Sequence, residues 1–428
     1  MSGDCPLPVI LPRVAKQHWS CHQCAQCCRT AVVHLFDADR AKIDEQGWVA
    51  RLGVPPYLRL GRQTVLNKHS DGACVFLNAE NQCSIHARFG EAAKPIACRM
   101  FPFSVRRVRV GWQASLRFDC PSVAESRGAG LTSHQTTLEA TVRGFESTHR
   151  PADVAVALKH GRIATRIEQD ALGEAVVRVL RDDSIAVDQR LIGLARVTAT
   201  LAECNLAKVR EERFAELVEI LSQTLPSEAK APTDPPGQKQ GRLFRQLVFA
   251  HTEHVSLAQL RSRWPQKLGI RVGQLIRSRA FARGVGIVPP LPGCDGTATF
   301  EGVDAVLPDA ADAGLIAEVW QRYLLMRVGS QSVFGAGYHG WPMLAGFSAL
   351  WLAIAATGYV ARWSAAADGR TSWGHDDLVW AIGVIDRTAT RAPALGTLTE
   401  RARIRALRAD DGVARLLNRY AMTAKRPS

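Results

Sequence analysis

Cysteine is almost missing from the last three quarters of this 428-residue chain: of eleven cysteines, only Cys204 and Cys294 lie beyond position 120. Other absences narrow the reading further. Met1 to Ser20 carries Pro6, Pro8 and Pro12 and no basic-then-apolar run ending in small residues, so it does not read as a secretory leader. The expected location is therefore cytoplasmic and reducing, which disfavours a disulfide framework. No lysine block and no interleaved aromatic pattern is present, which argues against a nucleic-acid binder. No internal repeat and no heptad seam appears, which excludes solenoids and coiled coils. Charge is missing between Arg327 and Arg362, and Trp341 to Ala361 is long enough to cross a bilayer. That run contains Pro342, Gly346, Ser348, Thr357 and Gly358, is rich in alanine, and has no companion span. It is expected to be a buried core helix rather than a membrane segment.

What is present fits a globular protein of two domains, or one large helical one: hydrophobic residues are 46% and charged residues 22% of the chain. The formal charge is +14 and the pI about 9.6, which suits an acidic partner surface. The expected fold is mainly α, with a small irregular cysteine-cluster domain of short strands (1–125) followed by a larger α-helical region (126–428). In the first region alternation marks Thr30 to Leu35 and Val105 to Phe118, a helix starts at Asp37, and Ser70-Asp71-Gly72 turns the chain. After Gly128-Ala129-Gly130 the period becomes helical, as in Leu172, Val176, Val179 and Leu180. Prolines suggest a linker at 226–241 and a break at 289–296.

The chemistry lies in the spacing Cys21-x2-Cys24-x2-Cys27-Cys28, then Cys74, Cys83, Cys98 and Cys120. A two-residue gap lets successive thiolates turn back onto one metal, as in zinc and iron–sulfur sites. These eight are the candidate ligands. Cys27 and Cys28 leave one backbone in different directions, so they suit different corners, different metals or a redox thiol. Eight thiolates suffice for two four-coordinate centres, or for one centre plus structural or reactive thiols. Cys5, Cys204 and Cys294 are read as bystanders.

Three further features are weaker. Arg99, Arg106, Arg107, Arg109 and Arg117 occupy a segment with no acid, on an expected hairpin; it suits either an acidic substrate or a solvated face. Gly335-x-Gly337-x-x-Gly340 matches a phosphate-loop pattern but lacks a βαβ frame and a following acid, so a loop between helices is the better reading. His251 and His254 share a helix face without a third ligand, and are expected to be polar surface.

The cysteine block, with Cys74-Val75-Phe76-Leu77, Cys83-Ser84-Ile85-His86, Cys98-Arg99-Met100-Phe101-Pro102 and Cys120-Pro121, resembles the YkgJ-like CxxCxxCC zinc- or iron-chelating domain family. His86 stands where that family carries tyrosine, and the connection Ala87 to Ala97 is longer than its arginine-proline link. The longer form is similar to the flagellin lysine-N-methylase branch, and the order of the C-terminal helices is too. The resemblance implies an iron–sulfur cluster, such as 4Fe-4S, or zinc. It implies that Arg99 donates hydrogen bonds to cluster sulfurs, and in the methylase branch S-adenosylmethionine and an acidic or flagellin-like protein substrate. No donor motif is recognisable in the chain. Three function classes follow: a metal-dependent protein lysine methyltransferase, a non-catalytic metal-binding or redox protein, and a zinc-stabilised interaction module.

Overall fold

The computed structural model describes residues 8–108, 110–146, 155–253, 255–291, 293–294 and 296–422. Cys5, Arg109 and His254 lie outside the described residues. The chain is mainly α, with short strands confined largely to its N-terminal part. It divides into two compact units: the described residues of Met1–Leu11, Gln17–Pro151 and His254–Gln274 form one, and Pro12–Lys16, Ala152–Glu253 and Leu275–Ser428 the other.

In the first unit Phe103–Val108 and Gly111–Leu116 pair antiparallel, and Val9–Ile10 adds a short parallel edge to the second strand. A separate hairpin joins Tyr57–Leu60 to Gln63–Leu66 through Gly61, whose φ of +59° suits glycine. The alternating Thr30 to Leu35 does not make a strand. Helix Gln26–Thr30 takes its start, and only His34 bridges, to Val65. The helix expected at Asp37 runs Asp37–Glu45, its entry closed by Asp39 Oδ2 accepting from the Phe36 amide at 3.1 Å. Leu35, Ile43, Trp48, Leu66, Val75, Phe76 and Ile85 make a small apolar core, against which Cys74, Cys83 and Cys98 pack. Trp48 meets Phe76 edge-on at 5.1 Å. His18–Trp19 pairs with Ala129–Gly130; at Gly128 a Cβ would stand 2.4 Å from Ser20 N, so only glycine fits there.

The second unit is helical and built round Met343–Ala367, which packs against Val187–Glu203, His375–Ala389 and Gly412–Tyr420. This is the uncharged run of the sequence. It is long and apolar enough to cross a membrane, yet its most apolar stretch is 94% buried by the surrounding helices. Trp351 Nε1 donates to Thr198 Oγ1 at 3.1 Å within that packing. Pro226 closes the last turn of helix Glu211–Ser227, and Gln238 opens helix Gln238–Thr252. The irregular piece between them joins two helices of the same unit, and Asn418 Nδ2 donates to the Pro232 carbonyl at 3.0 Å.

Candidate metal centre

The double C-x-x-C is turned by its gap residues. Gln23 (φ +56°) lies in the first gap and Ala25 (φ +57°) in the second, both left-handed and neither glycine. Each reverses the chain, and Ala25 starts the short helix that carries Cys27 and Cys28. The other cysteines sit at element ends. Cys74 is bridged to Lys68 and Cys83 to Leu77, and Cys83 leads into helix Ser84–Phe89. Cys98 lies in helix Ile96–Met100, and Cys120 precedes helix Pro121–Ala124, with proline at its first position.

All eight thiols line two cavities that share walls. One, of about 390 Å³, is bordered by Cys21, Cys27, Cys28, Cys74, Cys83 and Cys98. The other, of about 340 Å³, is bordered by Cys21, Cys24, Cys27, Cys98 and Cys120. None of the eight is in a disulfide; Cys21 and Cys24 are exposed and Cys120 is buried. Cys204 and Cys294 border neither cavity.

As thiols, Cys24, Cys27, Cys74, Cys98 and Cys120 hold their protons more tightly than a free cysteine does. Cys27 is driven far up, first by its hydrogen bond with Cys28 and then by burial. Burial pushes Cys74 up to about 11 and Cys120 to about 12, and raises Cys98 and Cys24 as well. Neighbouring cysteines add to every one of these shifts, so ionising one thiol makes the next harder to ionise. A bound cation reverses that balance, because metal ligation needs thiolates and supplies the opposing charge. The chain provides part of it. Lys94 borders both cavities and lowers the pKa of Cys27 and Cys98, a role that nothing in the cysteine spacing announced.

Arg99 borders the second cavity, and its buried Nε makes no hydrogen bond within the described residues. An orphaned cationic donor beside five thiols fits a site made for anionic sulfur. Arg117 borders the first cavity, with its guanidinium 4.7 Å over the Phe101 ring and held by Asp119 at 2.6 and 3.1 Å. The donor set thus suits a thiolate-bound metal. It is not drawn together round one point: among the described residues no group of three or more His, Cys, Asp or Glu side chains is positioned to hold a single metal ion.

Apart from Arg99 and Arg117, the described residues of the weaker sequence features border neither thiol cavity, and the 335–340 run is the loop between helices that its sequence suggests. Arg107 donates to the carbonyls of Val108 and Gly111, both at 3.2 Å, and lies over Trp112, so it braces its own hairpin. The glycine amides of the 335–340 turn are consumed locally: Gly335 N donates to Trp341 O, Gly337 N to Phe334 O, and Gly340 N, with Tyr338 N, to Gly335 O. They form no anion cradle. His251 is buried rather than on a polar face, with Nδ1 3.0 Å from Thr388 Oγ1.

Residues 20–121 match the model of the CxxCxxCC family, described as "Putative zinc- or iron-chelating domain". No curated protein and no solved structure matches the chain. The match begins one residue before Cys21 and ends one after Cys120, so it spans all eight cysteines of the two cavities.

Proposed function

We propose that this protein chelates iron through the eight clustered cysteines, as an iron–sulfur cluster rather than a lone zinc ion. The observation that carries the choice is the spread of the donors. Four thiolates round one zinc, each about 2.3 Å from it, stand roughly 3.8 Å apart. Here many thiols share two roomy cavities, and among the described residues no three His, Cys, Asp or Glu side chains close on a single point. A cluster holds its thiolates farther apart, because irons and bridging sulfides fill the space between them. Bound there, such a cluster supplies one-electron exchange. Lys94 offsets thiolate charge, Arg99 has an unpaired Nε–H to offer to bound sulfur, and the core under Cys74, Cys83 and Cys98 excludes water from the inner side.

The test is anaerobic purification or reconstitution, followed by an absorbance spectrum and determination of iron, acid-labile sulfide and zinc. Iron and sulfide in equal amounts support the proposal. Stoichiometric zinc without sulfide overturns the cluster, and retention of neither metal overturns chelation.

A finer reading, methyl transfer to lysines of an acidic or flagellin-like protein in the cytoplasm, is supported only by the long Cys83 to Cys98 connection and the order of the C-terminal helices. It requires a donor pocket for S-adenosylmethionine. Metal-loaded protein that takes up no labelled donor under anaerobic conditions removes this reading and leaves the chelation proposal standing.

A further inference from the structure

Helix Trp264–Arg283 holds a row of large apolar side chains in water. Within the first unit Trp264 is 76% exposed, Leu268 51% and Val272 49%. At 100° per residue these three fall within an arc of about 80°, so they form one stripe, roughly 12 Å long, rather than scattered contacts. Isolated surface apolar residues need no explanation, but a contiguous stripe of this size marks a contact face.

The charge around it has one sign. From position 255 to 294 the chain has seven arginines and lysines and no aspartate or glutamate. Arg277 is paired with Glu253, the residue that caps helix Gln238–Thr252. Lys267 and Arg271 lie along one edge of the stripe by helical phase. Such a face repels cations and attracts a surface dense in anions.

The shape decides between anionic surfaces. The cavities of the cysteine site take no residue from this helix, and the stripe stands in solvent as a row of exposed side chains. A convex apolar stripe with an indole at its start and cations at its border is what a headgroup layer accepts. Aliphatic side chains and tryptophan enter the acyl boundary, arginine and lysine remain at the phosphates, and no matching knob is required. We infer that this helix docks the protein, peripherally, on an anionic lipid surface. It does so independently of Met343–Ala367, the buried helix that alone among the described residues has the length and composition of a span. The inference does not depend on the metal reading.

The experiment is vesicle flotation of the full chain with phosphatidylcholine alone and with added phosphatidylglycerol. Binding is expected only to the anionic vesicles and falls with added salt. The double variant Lys267→Gln, Arg271→Gln weakens it roughly fivefold per cation removed. The double variant Leu268→Ser, Val272→Ser weakens it as well, since insertion needs the apolar stripe. Equal binding to both vesicle types, or no binding to either, overturns the proposal. Undiminished binding of the apolar variant also overturns it, by reducing the effect to adsorption of charge. So does concentration-dependent self-association in light scattering that the apolar variant abolishes, which makes the face a contact between copies. A thermal melt matching the parent's confirms each variant is folded; if the apolar variant is not, the exposed Lys267 and Arg271 pair carries the test.

Discussion

The backbone amide of Cys74 donates to the carbonyl of Cys28 at 3.0 Å, tying the last cysteine of the N-terminal block to the first of the distal four. The bond fixes the two stretches of chain side by side before any side chain is considered. It also explains why thiols so far apart in sequence border one cavity.

Removing thiols from that cavity should therefore remove the metal. Cys74→Ser or Cys98→Ser is expected to lose most bound iron per chain, whereas Cys204→Ser, whose side chain borders neither cavity, retains the parent's content. Equal metal in all three variants would place the binding groups elsewhere.

Asp39 supports the site without touching a thiol. It is 3% exposed, and its carboxylate accepts from the Phe36 amide at 3.1 Å and from the Ile96 amide at 3.0 Å, the latter opening the helix that holds Cys98. Asp39→Ala leaves two amides unpaired, at a cost of about 1–3 kcal/mol each where they are buried. A chelator competition should strip its metal faster than the parent's; identical release would show that Cys98 is held by packing alone.

Folding of the first unit should depend on the metal, since its apolar core is small and its strands are short. Chelation is expected to lower the melting transition of this unit and speed its amide exchange, while the helical unit's transition stays. An unchanged melt after complete metal removal would make the centre catalytic or redox rather than structural.

The helical unit should lose stability in mild acid. Burial lowers the His251 pKa from 6.5 to about 4, and His339 adds to the effect. The unfolded chain then binds a proton that the folded one refuses, so stability is complete above pH 6.5 and falls as pH drops toward 4, by up to about 3 kcal/mol. Urea midpoints at pH 7 and pH 5 should separate in the parent and come closer in His251→Phe. If the variant keeps the full separation, another group titrates.

Gly358 tests the packing of the central helix. A Cβ there would stand 1.9 Å from the Tyr420 carbonyl oxygen, in the last turn of a neighbouring helix. Gly358→Ala must push that helix away, at a cost of about 1–3 kcal/mol, despite alanine's better helix propensity. A raised melting temperature would contradict the close approach.

The sequence by itself determined the chemistry and the class of structure. Thiolate is the only donor that recurs eight times at ligand-like spacing, and periods of 3.6 beyond residue 130 commit the rest of the chain to helices. It also marked Trp341 to Ala361 as part of a core helix, because glycine, proline and alanine dilute its hydrophobicity, and the structure places that helix at Met343–Ala367. Tertiary structure alone decided what surrounds the thiols. Lys94 and Asp39 are ordinary charged residues in sequence; their roles arise because folding brings them to the cavity wall and to the Ile96 amide. His251 read as polar surface, since the helix that buries it lies more than a hundred residues downstream. The stripe on Trp264–Arg283 was hidden for the opposite reason. Its apolar spacing is what a core-facing helix would show, and only the absence of a covering neighbour among the described residues distinguishes the two.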